Sequence, residues 1–208
     1  MNFVMKKIIA TSCLLLLMTG AAHSKSRERK LQEIRGQWEL TEDDYVAFRQ
    51  VYEFPDKTES ELFDLSERFI KRNYTDREVT ESDEAEGYLR KHSLFSGAYT
   101  TYRMFEGESS VSTAYDLVVE VKGTRVRVSV IMDYYSVRTL PSASSGSSFI
   151  TDRVLDPVSL YPVNPRGKNK DFALNLFYNT YTRAQRLIAS YQQFVSSRGE
   201  IEPADDNW

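Results

Sequence analysis

The stretch from Tyr115 to Arg138 constrains the fold more than any other part of the chain. Tyr115, Leu117, Val119 and Val121 alternate with Asp116, Val118, Glu120 and Lys122, and beyond Gly123 the alternation resumes at Val126, Val128, Val130, Met132 and Tyr134. A period of two in β-branched and aromatic residues specifies strands. With Lys122-Gly123 as a two-residue turn, Val119 faces Val126, Leu117 faces Val128, Tyr115 faces Val130, and Glu120 lies beside Arg125 on the opposite side. Every apolar pair then falls on one face. A lone hairpin is not stable in water, so another part of the chain must cover that face.

Two segments have the pattern to do so. Thr58 stands three residues before Glu61, the spacing of a capping box, and Leu62, Leu65, Phe69 and Ile70 follow at helical intervals, which predicts an amphipathic helix from about Glu59 to Tyr74. Asp171 suits the N-cap of a second helix, whose stripe runs Leu174, Phe177, Tyr181, Ala184, Leu187, Ile188, Tyr191, Phe194 and Val195, with Gly199 as its stop. Tyr45 to Phe54 alternates as a first strand ended by Pro55-Asp56, with Val46, Phe48, Gln50, Tyr52 and Phe54 on one side. A second strand runs from Gly87 to Phe95, Gly97 interrupts it, Ala98 to Phe105 reads as a third, and Glu106 to Ser112 reads as a polar loop. From Pro141 to Lys170 the chain is first Ser-rich and then carries Pro157, Pro162 and Pro165, a long connection without a regular pattern. Val154, Leu155, Val158, Leu160 and Tyr161 give its second half something to pack with. Strand, helix, several strands and a long last helix together require an α+β domain with helices on a sheet.

At 208 residues and 41% hydrophobic content, one core is affordable. Residues 1–24 are a different material: Lys6 and Lys7 precede the apolar run Ile8 to Met18, and small residues lead to Ser24, the pattern of a secretory signal cut before Lys25, with a cut after Ala22 as the alternative. The run is shorter than the about 20 apolar residues a membrane span needs, so no transmembrane span is expected after cleavage. Cys13, the one cysteine, lies inside that run, so export leaves a chain without disulfides or thiolate chemistry. Loss of the two lysines takes the formal net charge from −3 to about −5. An acidic exported chain excludes nucleic acid as a partner and has no basic cluster for anionic lipid. The expected organisation is a mobile arm over 25–42, a single domain over 43–198 interrupted by the 141–170 insert, and an acidic tail over 199–208 ending in Trp208.

Little in the chain points to catalysis. His92 is the only histidine beyond the leader, no Gly-x-Ser-x-Gly elbow is present, and Ser144 to Ser148 is a flexible tract, so His92 reads as structural. No His or Cys spacing suits zinc, and neither a metal nor a cofactor is expected. Glu78, Glu81, Asp83, Glu84 and Glu86 match no EF-hand loop and read as a solvated turn. Tyr99, Tyr102, Phe105 and Tyr135 are the candidate binding residues, aromatics for a sheet face that the helices leave open, with Tyr134 assigned to the core. The competing reading packs them beneath the insert. The functional expectation is a non-enzymatic exported binding domain that meets an envelope protein or glycan through the open sheet face or the insert. The alternatives are a carboxylate-dependent hydrolase built on the acidic cluster, or an assembly protein docking through its tail or a sheet edge.

The chain also resembles a family of exported Gram-negative bacterial proteins known only as a domain of unknown function with a TBP-like fold. The resemblance rests on Val51-Tyr52-Glu53-Phe54-Pro55 followed by Thr58 to Tyr74, on Asp83 to Gly87 entering a strand, on the hairpin Leu117 to Met132, and on the tail Asp205-Asp206-Asn207-Trp208. It covers roughly Tyr45 to Arg138 plus the tail, and the segment Ser142 to Lys170 departs from it. The resemblance implies a curved antiparallel sheet with two helices packed on one face. It brings no activity and no catalytic residues.

Overall fold

The computed structural model describes residues 27–74, 79–103, 107–140 and 151–199, and of 99–103, 107–108 and 151 the backbone alone. The leader, the tail 200–208, Phe105 and the Ser-rich tract lie outside the described residues. Residues 27–34 form a helix, α1, in a unit that ends at Arg35. From Gly36 onward the chain builds an antiparallel sheet and the two helices that pack on it.

The strands are β1 (Glu39–Leu40), β2 (Val46–Glu53), β3 (Glu81–Asp83), β4 (Tyr88–Arg103), β5 (Gly107–Lys122), β6 (Arg125–Leu140) and β7 (Thr151–Leu155), in the order β1-β2-β6-β5-β4-β3. β7 pairs with β6 beyond the end of β2. The N-terminal strand β1 lies within 25–42, so the sheet starts earlier than the expected domain edge.

The β5–β6 hairpin keeps its predicted faces but not its predicted turn. Val121 pairs with Val126, Val119 with Val128, Leu117 with Val130 and Tyr115 with Met132, so the two turn residues are Gly123 and Thr124. Gly123 has φ +60, whereas Thr124 is not left-handed, the arrangement of a type II′ turn with glycine in its first central position. A lysine there would carry the left-handed strain instead. The turn moves by one residue and the pairing register by two, which leaves every side chain on its expected side.

Ala98 to Phe105 is not a separate strand, since β4 runs through Gly97. Phe95 pairs with Thr113 and Tyr99 with Val111, so 96–98 bulge out against a single residue of β5. Glu106 to Ser112 is not a loop either, because Gly107 onward belongs to β5. A second bulge lies on β6, where Met132 pairs with Tyr115 but Tyr135 with Thr113. It sits at the junction where β6 changes partner, from Val46 of β2 to Leu155 of β7. Bulges of this kind bend a strand and raise its twist. The insert therefore contributes a strand, followed by a 3-10 turn at Pro157–Ser159.

The helices α2 (Glu59–Asn73) and α3 (Lys170–Ser196) both cover the face that carries Val119 and Val128. α2 starts with the expected capping box, in which Thr58 and Glu61 each satisfy the other's backbone N–H. Its Leu62, Leu65, Phe69 and Ile70 are buried, Glu59 accepts from Gly123 N at 2.9 Å, and Tyr74 meets the Tyr115 hydroxyl at 3.1 Å. α3 begins one residue before the expected cap: Asn169, left-handed and without a side-chain cap bond, precedes Lys170, and Asp171 sits in the first turn. Phe177 packs edge-on against Phe48 and Trp38, each at 5.7 Å, and Thr180 reaches Thr113 at 2.9 Å. Further along, Tyr191 and Phe194 close on Phe69 of α2 at 5.2 and 5.6 Å. The helix stops in a Schellman motif, with Gly199 N bonded to Phe194 O and Arg198 N to Val195 O.

Candidate functional site

With both helices on one side, the opposite face of the sheet is left to its own side chains. Strand pairing lays these out in rows: Val51, Arg127, Glu120 and Tyr88; then Arg49, Ser129, Val118 and Arg90; then Ala47, Ile131, Asp116 and His92; then Ala114 beside Leu94. The short side chains of these rows, Ala47, Ala114, Val118 and Ser129, are buried, and Val51 and Leu94 are exposed. The long charged side chains fold onto one another above the short ones. Arg127 grips Glu120 with two nitrogens, one of them at 2.5 Å, and this carboxylate holds the guanidinium above its ordinary pKa. Arg49 spans from Ser129 Oγ at 3.1 Å to Glu39 of the edge strand.

Asp116 is the most enclosed charge on this face. Its side chain is 12% exposed, and both oxygens are engaged, Oδ2 by Arg90 at 2.5 Å and Oδ1 by His92 Nδ1 at 3.0 Å. The Arg90 guanidinium is raised in pKa chiefly by that hydrogen bond. His92 is further fixed by its backbone N–H, which donates to Thr80 Oγ1 at 2.9 Å. The carboxylate selects the tautomer with the proton on Nδ1. Register explains why the three meet: His92 and Asp116 are directly opposite, and Arg90 reaches diagonally.

This group was not singled out from the sequence as a unit. Asp116 reads there as one polar position in an alternating strand, and only the β4–β5 register brings His92 to it. The acidic residues Glu81, Asp83, Glu84 and Glu86 are exposed on the short β3–β4 hairpin, where Asp83 accepts from Glu86 N and Glu81 comes within 4.0 Å of Arg90. Glu78 lies outside the described residues.

Of the four candidate aromatics, Tyr135 alone has its side chain among the described residues. Tyr135 is 1% exposed and lies under α3, because the β6 bulge moves the inward position from Tyr134 to Tyr135. It is a core residue, and Tyr134 is half-buried. Tyr99 pairs with Val111 and Tyr102 with Glu108 on the far half of β4, positions that fall on opposite faces. Phe105 is among the residues not described. Among the described residues, the open face exposes the aliphatic side chains Val51 at 43%, Leu94 at 51% and Val154 at 70%.

No family model matches the chain, and no curated protein matches its sequence. Among solved structures, a TBP-like protein from Parabacteroides distasonis superposes with a TM-score of 0.53 at 12% identity, over 75% of this chain and 96% of that one. This chain has the TBP-like fold. A DUF4468 family protein from Bacteroides ovatus is also similar, with a TM-score of 0.48, 13% identity, and coverage of 81% of this chain and 94% of that one. The TBP-like fold is here an α+β architecture, an open antiparallel sheet with helices on one side, and the name carries no function with it. No helix among the described residues is long and apolar enough to cross a membrane.

Proposed function

We propose that this chain is an exported, non-enzymatic binding domain of the bacterial cell envelope that presents its uncovered sheet face to a protein partner. The observation that carries the reading is the composition of that face: mutually paired arginines and carboxylates framed by the exposed aliphatics Val51, Leu94 and Val154. Side chains already held by hydrogen bonds lose little freedom when a partner arrives, which favours recognition by a rigid surface. A protein partner is preferred to a glycan because Tyr135, one of the four aromatics that a stacking platform would have used, is in the core. Export rests on the 1–24 leader pattern.

A photo-crosslinking amino acid placed at Val51, Leu94 or Val154 of the exported protein tests the reading in the cell. The expected result is a defined protein adduct from these positions and none from Arg186 or Gln192, exposed positions on α3. Adducts from the helix positions alone, or none from the sheet, would overturn it.

A further inference from the structure

The long strand β4 has two edges, and only one is fully used. On one side it pairs with β5 along its length, and on the other β3 covers Tyr88 to Arg90 alone. Thr80 extends that cover slightly, donating its N–H to Arg90 O and accepting from His92 N. At the bulge, α3 reaches around to the carbonyls: Arg183 donates to Ser96 O at 2.6 Å and to Gly97 O at 3.3 Å, and Asn179 to Ala98 O at 3.0 Å. Beyond the bulge, no described residue pairs with the outer edge of Tyr99 to Arg103.

That stretch is also unguarded by sequence. Natural edge strands are protected by proline, lysine, inward charges or extreme shortness. β1 and β3 are two and three residues long, whereas Tyr99-Thr100-Thr101-Tyr102-Arg103 has no proline, lysine or glycine.

The backbone phase of the edge follows from the ladder. Val121 N donates to Gly87 O, so the odd-numbered residues of β5 face β4, and its pairing with β4 keeps Val111 in that phase opposite Tyr99. Tyr99, Thr101 and Arg103 therefore spend their backbone groups on β5, and Thr100 and Tyr102 turn theirs to the free edge.

We infer that two copies of this chain pair through this edge, antiparallel and two-fold about Thr101. The register is self-complementary. Thr101 of one copy meets Thr101 of the other as a non-hydrogen-bonded pair, Thr100 of each exchanges both backbone hydrogen bonds with Tyr102 of the other, and Tyr99 stands at the position opposite Arg103, so the register opposes no like charges. The carbonyls held by Arg183 and Asn179 end the available edge on one side, which limits the contact to a closed pair instead of an open fibre. The two sheets join edge to edge and double the uncovered face. The inference stands apart from the binding function proposed above, and its test involves no ligand.

The test uses the leaderless chain, which lacks Cys13. Sedimentation should show a concentration-dependent dimer. Opposed positions of a non-hydrogen-bonded pair lie about 4.5 Å apart between Cα atoms, within disulfide range. Thr101→Cys should therefore oxidise to a covalent dimer at least ten-fold faster than Thr100→Cys, which does not face itself. Tyr102→Pro removes a donor from the free edge and none from the β5 ladder, so it should give a folded monomer with unchanged circular dichroism. A wild-type monomer at all concentrations, equal oxidation of the two cysteine variants, or a dimer that survives Tyr102→Pro would each overturn the inference.

Discussion

Tyr135 and Tyr191 are both buried, but only one of their hydroxyls has a place in a network. Ser66 donates to Leu62 O at 2.6 Å, which leaves Tyr191 to donate to Ser66 Oγ at 2.6 Å. The Tyr135 hydroxyl lies beside Thr180 and makes no well-formed hydrogen bond to any described residue, while Thr180 is engaged with Thr113 and Leu176 O. Tyr191→Phe should accordingly cost about 1 kcal/mol, and Ser66→Ala about 1–3 kcal/mol because it strands a buried donor. Tyr135→Phe should fall within about 0.5 kcal/mol of the parent, or gain stability. Urea midpoints measure all three, and equal losses from the two tyrosine variants would show that the Tyr135 hydroxyl is paired. The same two phenols, the most deeply buried of the tyrosines whose pKa burial raises, sensitise the fold to alkali. Burial pushes both above the ordinary value of 10.0, so above about pH 10 the unfolded chain holds fewer protons than the native one. Their contribution is intact below about pH 10 and is lost above it, by up to about 1.4 kcal/mol per pH unit for each tyrosine. Denaturation from about pH 8 to about pH 11 should show this fall, and the double Phe variant should flatten it.

At the scale of elements, the turns decide what each strand can meet. Gly87 and Gly123 are both left-handed, at φ +63 and +60, but their surroundings differ. A Cβ on Gly123 would meet open space, whereas one on Gly87 would collide with the Val121 carbonyl, whose strand bonds Gly87 O through Val121 N at 2.7 Å. Gly123→Ala should cost the left-handed strain alone, about 1–2 kcal/mol, and Gly87→Ala clearly more. Thermal midpoints of the two variants give the comparison, and equal shifts would contradict it. The same contrast between local and distant causes separates the elements that were legible in the sequence from those that were not. The α2 cap was legible because Thr58 and Glu61 satisfy each other within one turn. The faces of β5 and β6 were legible because burial enforces a period of two, yet the turn was misplaced by one residue and the pairing therefore by two, a shift to which alternation is blind. β3 was hidden because Glu81, Ser82 and Asp83 are all exposed, and β7 because Thr151 to Leu155 takes its order from β6. The bulge at 96–98 had Gly97, at φ +60, as its local signature, whereas the one at Asp133-Tyr134 has none, since a partner strand defines it.

For the molecule as a whole, the fold class followed from one requirement, that a strongly one-sided hairpin be covered, and only two segments had the stripe to cover it. The order of the sheet did not follow, because β2 lies beside β6, a neighbour distant in sequence. Both helices lie on one side of the sheet as expected, but the assignment of Tyr134 and Tyr135 to the two faces was reversed. Extrapolating the alternation through Tyr134 placed Tyr135 outward, and the bulge reverses that assignment just where β2 gives way to β7. The chemistry present on the side away from the helices, Asp116 between Arg90 and His92, needed the β4–β5 register to become visible.

The central claim is that one sheet face is sealed by α2 and α3 while the other stands open, and single-cysteine labelling of the leaderless chain tests it most directly. Leu94→Cys and Val51→Cys should react with a thiol reagent in the native state nearly as fast as a free thiol, whereas Val119→Cys and Val128→Cys, at fully buried positions, should react only on unfolding. Protection of Leu94→Cys and Val51→Cys together with fast native labelling at Val119 or Val128 would contradict it.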